Sequence, residues 1–215
     1  MDIHYNAFIS YRHHPDDSRV ASQIHRLLEH YRVPKALRKQ SKQITRLFRD
    51  KEELPITSNL TDDITRALQN SDFLIVICSP HTRESTWVQR EIETFLKTHH
   101  RSRVLTVLAE GEPYDTIPEI LLREERVDPE TGETELVDIE PLSCDWRLPL
   151  RQAKREELPR LAAALMGCGY DELRRRERQY RSRRLIAGCS AALAATASSC
   201  LARSSSMVSN SSCSL

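Results

Sequence analysis

The sequence predicts an α/β protein with a flavodoxin-like, doubly wound parallel sheet, and three observations predict it. The first is the run Phe73-Leu74-Ile75-Val76-Ile77-Cys78, whose length and β-branched content fit a strand buried on both faces. The second is the stretch after it, where Val88, Ile92, Phe95 and Leu96 sit at i, i+4, i+7 and i+8, the apolar stripe of a helix. The third is that strand-like and helix-like segments alternate along the first half of the chain with short connections, the pattern of parallel strands joined by right-handed crossovers.

Taken in order, residues 5–10 (YNAFIS) form a short apolar first strand, and Tyr11 to Asp17 the loop after it. Asp16, Asp17 or Ser18 can cap the next helix, which carries Val20, Ile24, Leu27, Leu28 and Tyr31 at helical spacing. Val33-Pro34 ends that helix, and a basic connector follows to Lys42. Residues 43–48 (QITRLF) read as a second, less apolar strand nearer the edge. A charged loop leads to Ser58 or Asn59 as the cap of a helix whose buried face is Leu60, Ile64, Ala67 and Leu68. The central strand is ended by Ser79-Pro80, because proline cannot continue a ladder. Residues 104–108 (VLTVL) are the fourth strand.

From Glu110 to Asp138 the chain is acidic and turn-rich, and DPETGETE reads as an exposed hairpin or loop. Residues 136–142 are a candidate last strand, and Leu158, Leu161, Ala162, Leu165 and Met166 mark a last core helix. These elements define a domain over residues 1–166. An Arg-rich helix over 167–184 follows, capped by Asp171. Residues 185–202 carry no charge but hold Gly188, Ser190, Thr196, Ser198 and Ser199. The preceding arginines suit the cytoplasmic flank of a membrane segment, whereas the small polar residues suit an unpacked Ala/Ser tail. Residues 203–215 are low-complexity and expected to be disordered.

Composition bounds the function. A formal net charge of +1 gives no global field for nucleic acid. The balance is uneven, with 12 basic against 5 acidic residues between Arg147 and Arg184. The six cysteines show no CxxC pair, so neither a disulfide framework nor a zinc site is expected, and the start of the chain lacks a secretory pattern. A cytoplasmic domain is the expectation.

No GxxxxGK[ST] loop exists, and Ser10-Tyr11-Arg12 stands where a dinucleotide-binding fold would carry GxGxxG. A receiver domain would place its phosphoacceptor aspartate after the third strand, where this chain has Cys78-Ser79-Pro80. The histidine pairs His13-His14 and His99-His100 are poor chelators, so no metal is expected. What converges at the carboxyl edge, where open α/β sheets bind ligands, is three loops. They bring Ser10, Tyr11, Arg12 and His13, then Phe48, Arg49, Asp50, Lys51 and Glu52, then Ser79 with Trp87 and Glu91 of the following helix. One arginine, one carboxylate and several aromatics suit a ligand with aromatic bases and a phosphate. Pattern alone leaves Glu91 open between this role and a solvated acid favoured by the helix dipole.

Three stretches carry a family resemblance. YNAFISYR (residues 5–12) resembles the first motif box of Toll/interleukin-1 receptor (TIR) domains, the charged loop after Phe48 resembles their BB loop, and WVQRE (residues 87–91) resembles the WxxxE of TIR domains that cleave NAD. Their order agrees over residues 5 to about 110, and the whole chain resembles bacterial TIR proteins with a domain before an Arg-rich stretch and a membrane segment. The resemblance implies hydrolysis of the nicotinamide–ribose bond of NAD as substrate, with no cofactor. It implies Glu91 as the catalytic carboxylate and Ser10, Tyr11, Arg12, Phe48, Lys51, Ser79 and Trp87 as substrate-binding residues. It further implies Arg49, Asp50, Glu52 and Pro55 as an interaction loop for self-association and other TIR domains. His13 replaces a second arginine of some members, and the loop carries Pro55 where the family commonly has glycine. The competing function is a non-enzymatic TIR adaptor that works by docking another TIR domain.

Overall fold

The computed structural model describes residues 3–33, 41–49, 60–127 and 132–175. Met1–Tyr170 is one compact unit; of a second, Asp171–Leu215, the described part is residues 171–175, which are helical. Within the first unit, β1 (Ala7–Ser10) leads to α1 (Pro15–Glu29), β2 (Leu47–Phe48) to α2 (Leu60–Gln69), and β3 (Leu74–Cys78) through α3 (Pro80–Arg83) to α4 (Thr86–Leu96). Then come β4 (Val104–Leu108), α5 (Pro113–Thr116), α6 (Glu119–Leu122), β5 (Arg123–Val127), β6 (Thr134–Asp138), β7 (Cys144–Asp145) and α7 (Leu150–Met166).

The main sheet has the order β2-β1-β3-β4-β7 with every pairing parallel. This is the doubly wound order expected from the alternation. β3 lies at the centre between β1 and β4, and all five of its residues are fully buried, which is why its sequence is a continuous apolar run. Side chains alternate between faces. Phe8, Leu74, Val76 and Cys78 meet Ile64 and Leu68 of α2, Val88, Ile92 and Phe95 of α4, and Ile117 beyond α5. Ile9, Ile75 and Ile77 take the other face, where α1 packs on β3 through its buried Val20, Ile24 and Leu28. Each such side chain contributes about 1.5–3 kcal/mol on leaving water.

Three expectations are corrected. The second strand was expected over residues 43–48, but only Leu47–Phe48 pairs with β1. The reason is Asn6, whose Oδ1 accepts from the backbone N–H of Thr45 at 2.7 Å and of Arg46 at 3.1 Å, while its Nδ2 donates to the Gln43 carbonyl at 3.2 Å. A side chain thus takes amide hydrogens that a longer ladder would use. The last parallel strand is Cys144–Asp145 rather than residues 136–142. Residues 134–138 instead pair antiparallel with Arg123–Val127 in a separate two-stranded sheet. The start of α1 is also shifted: His14 is its N-cap, with Pro15 in the first turn and Asp16 and Asp17 behind it.

The basic connector after Pro34, the loop over residues 50–59 and everything beyond residue 175 lie outside the described residues. These include the Arg-rich stretch, the candidate membrane segment 185–202 and the tail 203–215. Among the described residues no helix is long and apolar enough to cross a membrane.

Two outcomes test this packing. Asn6→Ala strands the Thr45 and Arg46 amides against β1, and urea denaturation is expected to show a loss of about 2 kcal/mol. Burial pushes the Cys78 and Cys144 thiols up to about 12, and the thiolate is the reactive form. Maleimide labelling of native protein at about pH 8 therefore leaves both unmodified, as read by peptide mass spectrometry, and denaturant exposes them.

Candidate functional site

The strand order β1-β3 juxtaposes two strands whose following helices lie on opposite faces of the sheet, and this switch point opens at the carboxyl edge. Ser10 ends β1 and Ser79 immediately follows β3. Each hydroxyl engages a carboxyl group from the helix that follows the other strand. Ser10 Oγ donates to Glu91 Oε2 at 2.5 Å, and Glu91 belongs to α4, after β3. Ser79 Oγ donates to Asp17 Oδ2 at 2.8 Å, and Asp17 belongs to α1, after β1.

Glu91 is placed by its helix. Ser85 caps α4, its side chain accepting from the Val88 N–H, and Val88, Ile92 and Phe95 fasten one face of the helix into the core. Glu91 is only 5% exposed, so it is not the solvated helix-start acid that pattern alone had left open. A buried carboxylate is tolerated where hydrogen-bond donors meet it, and Ser10, itself 1% exposed, supplies one. Trp87, one turn earlier, is half-buried and packs against the same core cluster.

The second pair is a different environment. Asp17 is 1% exposed, and its carboxyl group is raised above the usual range chiefly by desolvation. The Ser79 hydrogen bond and the nearby His81 and His14 oppose that shift, and Glu110 adds to it. Thr82 Oγ1 lies 3.1 Å from Ser79 Oγ and donates its hydrogen to the Ile77 carbonyl at 2.9 Å. The rings of His14 and His81, both near Asp17, lie 4.1 Å apart.

The residues expected at the site are therefore distributed as follows. Ser10 and Glu91 are in direct contact. Arg12 is exposed at the same edge, and Tyr11 is buried beside it with its ring edge-on to His13. Ser79 faces Asp17. Phe48 is 1% exposed and stacks on Phe8 at 4.8 Å, inside the core rather than at the surface of a cleft. Arg49 is buried. Asp50, Lys51, Glu52 and Pro55 lie outside the described residues. Asp17 and Thr82 were missed as site residues. For Asp17 the only signal was its place in the first helical turn, which a dipole or capping role explains equally well.

Comparison with known proteins adds the following. Residues 8–114 match the family described as Thoeris protein ThsB, TIR-like domain. The chain is 30% identical over 183 residues to "NAD(+) hydrolase ApTIR" of Actinoplanes sp., a match that spans 80% of this chain and 24% of that protein. Among solved structures it resembles the TIR domains of the activated Roq1 resistosome directly recognising the pathogen effector XopQ. That likeness has TM-score 0.40 and 21% identity over 51% of this chain and 60% of that one.

The raised Asp17 gives a pH signature. Because the folded protein holds this proton more tightly than the unfolded chain, the stability linked to it is fully present below the ordinary carboxylate range. It is lost as pH rises through the raised folded value. Asp17→Asn keeps an acceptor for Ser79 and abolishes the titration. The variant is expected to gain stability relative to the wild type as urea melts are taken from about pH 4 to about pH 8.

Proposed function

We propose that this chain, which belongs to the TIR-domain family of bacterial type, hydrolyses the nicotinamide–ribose bond of NAD in a defence or signalling role. The observation that carries the reading is the buried Glu91 carboxylate, received by Ser10 Oγ at the switch point of the parallel sheet. The similarity to an NAD(+) hydrolase supports the choice of substrate.

The chemistry asks for little more than this. Nicotinamide leaves a cationic pyridinium nucleotide as a neutral molecule, so no general acid is required. The oxocarbenium-like ribose left behind needs a negative partner, and a preorganised carboxylate in a water-poor site supplies it most effectively. In this reading Glu91 stabilises the ribose cation. The exposed Arg12 meets the pyrophosphate, and Trp87 and Tyr11 flank the bound nucleotide. Phe48, packed on Phe8, shapes the floor from behind. Lys51 and the loop residues Arg49, Asp50, Glu52 and Pro55 keep the roles the family resemblance implies, substrate contact and docking of a neighbouring TIR domain. Residues 185–202 remain a candidate membrane anchor on their sequence alone.

The test is NAD loss catalysed by purified protein across a protein-concentration series. Wild-type turnover per molecule is expected to rise with concentration as domains associate. Glu91→Ala is expected to lose roughly two to three orders of magnitude in rate. Its melting curve should stay near wild type, since losing the Ser10 hydrogen bond is offset by removing a buried charge, a net change of about 2 kcal/mol or less. Equal activity in wild type and Glu91→Ala would defeat the mechanism. No turnover at any concentration would instead favour the adaptor role.

A further inference from the structure

We propose that Ser10 is a positioning residue: its hydroxyl fixes the Glu91 carboxylate in the orientation used against the ribose cation, without itself touching NAD. The inference rests on the NAD-hydrolase reading and deepens it at the same site. It also departs from the substrate-binding role that the resemblance assigns to Ser10.

The geometry commits Ser10 to Glu91. The residue is 1% exposed, and its Oγ donates to Glu91 Oε2 at 2.5 Å across 81 positions of sequence. That distance lies at the short end for a hydroxyl donating to a carboxylate, as charge-assisted bonds do. Neither partner is free to drift. β1 is bracketed by β2 and β3, with Ser10 itself in register with Val76, so the backbone of Ser10 is held in place and a single torsion aims its hydroxyl. Glu91 sits on a helix fastened by Val88, Ile92 and Phe95, but its side chain has three rotatable bonds of its own. A hydrogen bond from a rigid strand removes that freedom before substrate arrives, and pre-paid orientation of this kind lowers the barrier to reaction. Ser79, at the end of β3, donates to Asp17, so it does not stand in for Ser10.

The experiment measures kcat and KM for NAD with the full chain, at a protein concentration where wild-type turnover no longer rises. Ser10→Ala is expected to lower kcat roughly 10- to 100-fold, the usual effect of removing a partner that orients a reacting group, with KM within about twofold of wild type. Ser10→Cys keeps the size and a weaker donor, so its kcat should fall between the two. Thermal melts confirm that both variants are folded; if the alanine variant melts early, the cysteine variant carries the comparison. Wild-type kcat in Ser10→Ala would overturn the proposal. A raised KM with unchanged kcat would also overturn it, since that is the signature of direct substrate contact. If Glu91→Ala is inactive while Ser10→Ala retains full kcat, only the positioning role fails. If Glu91→Ala is as active as wild type, the hydrolase mechanism fails and the positioning role with it.

Discussion

An ionisable carboxyl group kept almost dry at the edge of a sheet constrains everything around it. Glu91 at 5% exposure loses most of its hydration, a cost of several kcal/mol for an ionised group unless donors replace the water. The donor from Ser10 can arrive only because β1 lies beside β3, with Ser10 opposite Val76 two residues before β3 ends. It arrives at a useful angle only because α4 is pressed onto that sheet by Val88, Ile92 and Phe95. The apolar stripe of the helix and the continuous apolar run of β3 are thus the means by which one carboxylate is held in one place. Stability given up at the carboxyl edge is recovered in the core behind it.

What could be read from sequence follows the strength of the periodic signal. β3 and α4 were legible because full burial leaves an uninterrupted apolar run and a helical stripe. That the sheet is parallel followed from the alternation. The extent of β2 was not legible, because residues 43–48 have strand-like composition and the side chain that replaces their ladder belongs to Asn6, 39 positions from Thr45. The fifth parallel strand is two residues long, too short for any period to register. The neighbouring Arg123–Val127 and Thr134–Asp138 are mostly exposed and charged on both faces, so they show no alternation although they pair with each other. At the site, Glu91 could be singled out by its spacing from Trp87, but not its burial. Asp17 could not be distinguished from an ordinary first-turn acid, because the hydroxyl it meets lies 62 positions away.

The two hydroxyl–carboxyl pairs form a reciprocal arrangement. The strand ending at Ser10 receives an acid from the helix after β3, and the position following β3 receives an acid from the helix after β1. Each βα unit is therefore fastened to the other at the edge where the sheet splits. The two pairs are not equivalent. Asp17 is raised chiefly by burial, with His14, His81 and Glu110 nearby. The Glu91 side chain leans on a strand hydroxyl and on a helix held by aliphatic and aromatic packing. In the proposed reaction the Glu91 environment matters for its geometry, because electrostatic catalysis depends on groups that need not reorganise when the reaction occurs. Asp17 and Ser79 fasten α1 to the end of β3 as Ser10 fastens α4 to the end of β1, so the two contacts together tie both βα units at the edge where the sheet splits.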